Sequence, residues 1–509
     1  MIIGIDLGTS YCTASFVNAE RIPTLVGDAK TPGQFRTPSL LALSDQSCYV
    51  GRRAEEYVLD GLTRSFVRYP KWELGFGKSL IGDSQKRKWS AEAILAVLFS
   101  KLRTDFLASG NGSVDGAIVA VPANFNDQQR RAVRHVGELI AMPIVALVDA
   151  PVAAVRFLVE PRTQPQSILV CDFGSGSFEV SAIRYSDQEL SVLATDSALE
   201  LGTRTLREEL AAHFMSRLGN QAKEKEFIVQ QQLLSIAEQA MVSLCQADEA
   251  MVSYKHFVAG FPIDTAIDRR YFSQALDPFA DQCVQKTIEF IGSIDLAVTA
   301  IDRIVLIGGG SLIPGLVLRF CEGLRVQRDR IMAKQQLNAV VYGTSLLADE
   351  GLSEQSFMRR THTASAFDLG IRIRDPRTQK TAIYKLVKRN TSLPAKASKV
   401  FRTSRIDQDR MIIEVVQVKG SVRSAISLGN FSFGPLKPTT ERHPIDITIA
   451  CNGEGLVQVS AKDLVSGRQI QHHVTPVATE LVETSSRDEM ATSEYDRIVV
   501  DWAIANLQA

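Results

Sequence analysis

The strongest constraint on this chain is a pattern used twice. Residues 2–15, IIGIDLGTSYCTAS, and residues 167–181, SILVCDFGSGSFEVS, each run from an apolar stretch into an Asp, through Gly and hydroxyl residues, and out into a second strand-like stretch. Each reads as a β-hairpin with a turn of small residues. Small residues let backbone N–H groups close on phosphate oxygens, hydroxyls add donors, and Asp6 and Asp172 suit a Mg²⁺ ion held through water. The candidate phosphate contacts are Gly8, Thr9, Ser10 and Tyr11 in the first turn, and Gly174, Ser175, Gly176 and Ser177 in the second. A third stretch, residues 303–314 (RIVLIGGGSLIP), leads a strand into Gly308, Gly309 and Gly310, which let a backbone pass close to a flat or charged ligand. A lone Gly-rich turn is more often only a tight turn in a sheet. Three in this order point to a nucleoside triphosphate clamped from both sides.

Length and charge narrow the classes further. At 509 residues and 45% hydrophobic content the chain is expected to form two or more domains. Lys and Arg number 57, as do Asp and Glu, so no global basic field recruits nucleic acid or an acidic membrane, and neither is expected as a partner. The seven cysteines are scattered, without the close pairs of a zinc or redox site, and adjacent His472 and His473 on a strand point to opposite faces. The chain begins on its first strand, and no apolar run is long enough to span a bilayer; a cytoplasmic location is expected.

The three stretches resemble the phosphate-one, phosphate-two and adenosine motifs of the actin-like (ribonuclease H-like) ATPase fold, and within it those of the heat shock protein 70 chaperone family. The resemblance continues through AIVAVPANFNDQQRRAV (117–133), DAPVAA (149–154), KRNTSLPAKASKVF (388–401) and LVQVSAKDLVSGR (456–468), and covers nearly the whole chain. It implies a two-lobed α/β nucleotide-binding domain over 1–350, a linker over 351–365, an all-β peptide-binding sandwich over 366–476, and a short tail over 477–509 with one helix. It also implies ATP or ADP with Mg²⁺ as cofactors, and unfolded or extended peptides and co-chaperones as partners. In FVRYPKWELG (66–75), Lys71 matches the family's catalytic lysine, expected to set its ammonium against the γ-phosphate and the attacking water. Thr9, Asp172 and Asp149 complete the catalytic set that the resemblance implies, with Asp6 and Asp172 serving the metal.

The residues themselves support this division. Ser90 is placed to cap a buried helix carrying Ile94, Leu95, Leu98 and Leu102 on one face, and Asn126 to cap the next. Strands alternating with helices in the first part argue for an α/β domain. Strict alternation in FDLGIRIRD, TAIYKLVKR, MIIEVVQVK and IDITIA, with Asn452-Gly453 as a hairpin turn, argues for an all-β second part. Residues 351–366 are polar and patternless. One tail helix places Ile498, Trp502 and Ala505 on a face.

The family pattern breaks at the nucleotide. Its glutamate in DAPVAA is Ala150, with Asp149 beside it as a partial substitute; its basic pair at the adenosine is Met241 and Val242; its arginine after the glycine motif is Leu312. Lost stacking and hydrogen bonds of this kind each cost on the order of a kcal/mol. The family's leucine-rich linker is absent from 351–366, and a helical lid reduced to about one helix is expected. The expectation is a chaperone with weak or slow ATP hydrolysis, the alternative a pseudo-ATPase that binds peptides or acts as a scaffold. A small-molecule kinase of the same fold is disfavoured by the sandwich.

Overall fold

The computed structural model describes residues 1–187, 189–218, 226–246, 249–254, 263–350, 361–374, 380–420, 422–437, 439–473 and 486–508. The first hairpin forms strands Ile2–Leu7 and Tyr11–Val17, with Leu7 opposite Cys12. Gly116–Val121 and Ile144–Asp149 extend that sheet in parallel on one side, and Pro23–Leu25 closes the other. The second hairpin, Gln166–Phe173 with Phe178–Ser186, is extended in parallel by Arg303–Ile307 and Ile331–Met332, and antiparallel by Glu189–Ala198. The sequence pattern used twice thus yields one sheet topology used twice. Gly116–Val121 is buried at every position, as a parallel strand covered on both faces must be, which explains its unbroken apolar sequence.

Helix starts follow the expected chemistry. The Ser90 side chain accepts from the Ala93 N–H at 3.0 Å ahead of helix Ala91–Ala108. Asn126 and Gln129 form a reciprocal capping box ahead of Asp127–Leu139. Helices Ala150–Leu158 and Ala339–Asp349 join the two halves: Ile118 and Val148 of the first sheet share one core with Val170 and Val305 of the second. A Cβ at Gly343 would lie 1.7 Å from the Ala153 carbonyl oxygen, so only glycine allows these helices to approach so closely.

The second part is a pair of four-stranded sheets over a core of Leu369, Ile371, Ile413, Val415, Ile445 and Ile447. Burial along Pro444–Cys451 alternates residue by residue, as its sequence does. The Asn452-Gly453 turn is longer than expected. A loop spans 452–456, closed by the Asn452 N–H to the Leu456 carbonyl at 3.0 Å, because Glu454 is drawn into the first half of the molecule. There its carboxylate accepts from the Leu147 N–H at 3.0 Å and pairs with Arg134. Asp127 accepts from the Val457 N–H at 2.6 Å, and Arg131 donates to the Val457 carbonyl at 2.7 Å. On the other half, Asp196 gathers Lys286, Arg389 and Lys419.

Two expectations change here. Of the segment read as linker, residues 351–360 lie outside the described residues, but 361–365 are held in place. Thr361–His362 pairs in parallel with Glu189–Ala198, the Leu393 N–H donates to the Thr363 carbonyl at 2.9 Å, and Ala364 bridges to Ser392. Backbone pairing on both sides orders a stretch whose side chains carry no pattern. The tail helix, Ser486–Ala505, serves the first half of the molecule. Val499, Val500 and Ala503 are buried in that core, Trp502 lies beneath Arg87 at 3.5 Å and meets Trp89 edge to face, and Leu507–Gln508 pairs with Cys48–Val50.

This helix carries a pH-dependent contact. Burial lifts the Asp496 carboxyl to about 6, with Glu92 adding to the shift and Ser90 and His135 opposing it. A value above the ordinary one of about 4 means the native chain binds more protons than the unfolded chain between those two pH values. The contribution to stability is therefore present below about pH 4 and lost as pH rises through about 6. Thermal melts at pH 7.5 and 5.5 should show the gap between wild type and Asp496→Asn changing with pH; a gap that stays constant rules the linkage out.

Candidate functional site

A cleft of ≈ 440 Å³ lies between the two sheets and is lined by both hairpin turns, by Lys71 and by Gly308–Gly310. The turns meet across it: the Ser10 hydroxyl donates to the Ser175 hydroxyl at 2.8 Å. Gly176 is packed so that a Cβ there would lie 2.7 Å from the Trp72 indole nitrogen and 2.8 Å from the Thr9 hydroxyl. Gly308 has φ +82°, and its Cβ would lie 2.5 Å from an Asp172 carboxylate oxygen, so both its conformation and its contact require glycine. Of the residues expected at the site, Asp6, Gly8, Thr9, Ser10, Tyr11, Lys71, Asp172, Gly174, Ser175, Gly176, Ser177, Gly308, Gly309 and Gly310 all line this one cleft.

Strand register decides which acids face each other. Asp6 is the last residue but one of the strand Ile2–Leu7, and Asp172 holds the matching place in Gln166–Phe173, directly opposite Glu179. Burial raises Asp6 to about 6, Lys71 opposing. Burial and then the Asp6 charge raise Asp172 to about 6, and burial and then Asp172 raise Glu179 to about 7. Lys71 lowers all three. It stands on a short 3₁₀ turn, Pro70–Glu73, where its ammonium donates to the Leu7 carbonyl at 2.7 Å and lies 5.5 Å from the Phe125 ring centre. Three buried carboxyls, two of them raised further by a neighbouring carboxylate, share the charge of one lysine, and their hard oxygens suit Mg²⁺. Among the described residues no three carboxylate, His or Cys side chains cluster tightly enough to hold an ion directly. The fit is to an ion that keeps part of its water shell.

Asp149 is placed differently from expectation. It is buried outside the cleft lining, with one oxygen on Arg130 at 2.8 Å and the other accepting from the Thr363 hydroxyl. Both oxygens are engaged, so its geometry is that of a strut between strand end and sandwich, and Ala150 alone faces the cleft. Sequence reasoning passed over Glu179, whose signal was its place two residues beyond Ser177 on the return strand. It also passed over Arg204 and Arg207, at the start of helix Thr203–Leu218. Arg204 lies 3.9 Å from the Trp72 ring centre, and Arg207 lies 5.1 Å from that of Tyr69. Arg207 also pairs with Glu238 at 3.3 Å, which accepts from the Tyr11 hydroxyl at 2.6 Å. Met241, Val242 and Leu312 line the far end of the cleft, where they present apolar surface in place of charge.

The comparisons with known proteins agree with this arrangement. A family model described as Hsp70 protein matches residues 73–501. The chaperone protein DnaK of Thermosipho melanesiensis is 24% identical over 520 residues, which cover 98% of this chain and 83% of its own length. The family model spans well over half of the chain, including the second hairpin and the β-sandwich, and the chain belongs to the heat shock protein 70 family.

Proposed function

We propose that this chaperone of the heat shock protein 70 type binds Mg-ATP in its cleft, hydrolyses it slowly, and holds extended peptide segments in its sandwich. The observation that carries the reading is the meeting of Asp6, Asp172, Glu179 and Lys71 around two turns that touch through Ser10 and Ser175. The hydroxyls and backbone N–H groups of both turns bind and orient the phosphates from opposite sides. Asp6, Asp172 and Glu179 would hold the hydrated Mg²⁺, which supplies charge neutralisation at the phosphates. Lys71 holds the attacking water and favours the charge that develops on the γ-phosphoryl oxygens. Hydrolysis is slow because Ala150 offers no oxygen to the water network and Asp149 is engaged elsewhere. Asp368 to His473 supplies the peptide-binding part, where Ile373, Phe401 and Met411 are only partly buried at the core's margin.

A second reading, a pseudo-ATPase, is favoured by the apolar Met241, Val242 and Leu312. Calorimetric titration with Mg-ATP separates the two: heat with micromolar saturation supports the first, and none at millimolar nucleotide supports the second. Because the cleft grips phosphates more than base, ATP and GTP should bind within about tenfold of each other. Preference for ATP of a hundredfold or more would contradict this account of the pocket.

A further inference from the structure

The charge of this chain balances only in sum. Residues 366–476 carry eighteen Lys and Arg against nine Asp and Glu, while all the others carry 39 against 48. Several of the sandwich cations are engaged: Arg389 and Lys419 with Asp196, Arg372 with Glu414, and Lys385 with Asp368. Three of the others, Lys396, Lys399 and Arg402, stand on one edge strand. Strand Ala395–Arg402 ends its sheet and is bonded only to Pro444–Cys451, which leaves its other edge open. Lys396 and Lys399 are exposed and have no carboxylate partner among the described residues. Arg402 donates to the Arg442 carbonyl at 3.0 Å, and its one carboxylate neighbour among the described residues is the exposed Glu441, at 3.9 Å.

Lysines on an edge strand also guard against aggregation, so cations alone decide nothing. Two further features do. Apolar groups stand exposed among them: Val400 at 44% and Tyr384 at 38%, the latter edge-on to Phe401 at 5.5 Å and 5.6 Å from the Lys399 ammonium. The open edge also presents alternating backbone N–H and C=O groups, both of which a peptide pairs, whereas phosphates can accept only from the N–H groups.

We propose that the sandwich selects extended segments rich in Asp and Glu, added as a further strand along Ala395–Arg402. Carboxylates of the segment face Lys396 and Arg402 on one side and Lys399 on the other, and apolar side chains lie against Val400 and Tyr384. The proposal rests on the peptide-binding reading and names the class of peptide. Three exposed pairs of this kind amount to roughly a tenfold gain in affinity at low salt.

Fluorescence anisotropy on the full chain tests it with three labelled decapeptides in which pairs of Asp, Ser or Lys residues alternate with pairs of valine, so that both faces of the added strand carry each type, and with a single-stranded oligonucleotide of matching charge. The Asp peptide should bind about tenfold more tightly than the Ser peptide at 50 mM salt, less so at 0.5 M, and more tightly than the oligonucleotide. Lys396→Glu with Lys399→Glu should erase or reverse that order while leaving the Ser peptide bound. Equal binding of the Asp and Ser peptides, or preference for the Lys peptide, overturns the acidic class. Binding of the oligonucleotide as tight as the Asp peptide assigns the edge to polyanions in general and overturns the peptide proposal. Failure of every peptide overturns the peptide-binding reading itself.

Discussion

Replacing Lys71 by alanine is expected to lower ATP turnover by at least about 10²-fold while changing Mg-ATP affinity only a few-fold. The reason is geometric. Both turns that bind the phosphates remain, and what is lost is a cation that acts on charge present only in the transition state. A secondary effect follows from the acids. Lys71 lowers Asp6, Asp172 and Glu179, which stand at about 6, 6 and 7 with it in place. These carboxyls must be ionised to hold Mg²⁺, so binding weakens as pH falls through that range. Without Lys71 they take up protons at higher pH, and the weakening begins earlier. Single-turnover hydrolysis and Mg-ATP titrations between pH 6 and 8 report both effects. Turnover that survives the substitution would remove the lysine from the mechanism, and an unshifted pH profile would remove its coupling to the acids. Ala150→Glu is the complementary variant and should raise turnover.

The second large effect concerns stability. Arg130→Met should cost about 3–5 kcal/mol, because it leaves the Asp149 charge buried without its counterion. Both side chains are almost fully enclosed, 4% and 2% exposed. Arg130 also donates to the Phe125 and Ala123 carbonyls at 3.1 and 3.3 Å, so the same change strands two backbone acceptors. A double variant with Asp149→Asn should recover part of the loss, since the pair is coupled and the stranded charge disappears. Denaturant melts followed at several wavelengths are needed, because a chain with more than one core need not unfold in one step. A loss below about 1 kcal/mol, typical of a surface change, would show that Asp149 is not held as a buried ion pair.

The sequence reading succeeded where local chemistry is self-sufficient. Ser90 and Asn126 cap their helices because an N-cap is satisfied within three residues, and the sandwich strands appear because alternation is local. The hairpin turns were legible for the same reason. Glu179 was missed because its role depends on facing Asp172 across a ladder. The placement of Asp149 was not legible because the partners that engage it, Arg130 and Thr363, lie 19 and 214 residues away along the chain. Position past a strand end marks a place where function gathers, but not whether a carboxylate is still available.

The amino-acid sequence alone determined the repeated hairpins, the α/β and all-β division, and the turn residues that meet in the cleft, since each follows from the spacing of Gly, Asp and apolar residues over a few turns. Tertiary structure decided which charges are available. It brought Asp6, Asp172 and Glu179 to one lysine and raised their affinity for protons by burial. It closed Asp149 against Arg130, drew Glu454 across to Arg134, and built the tail helix into the first core. Desolvation and pairing across long sequence separations are properties of the packed chain, and short-range pattern does not encode them.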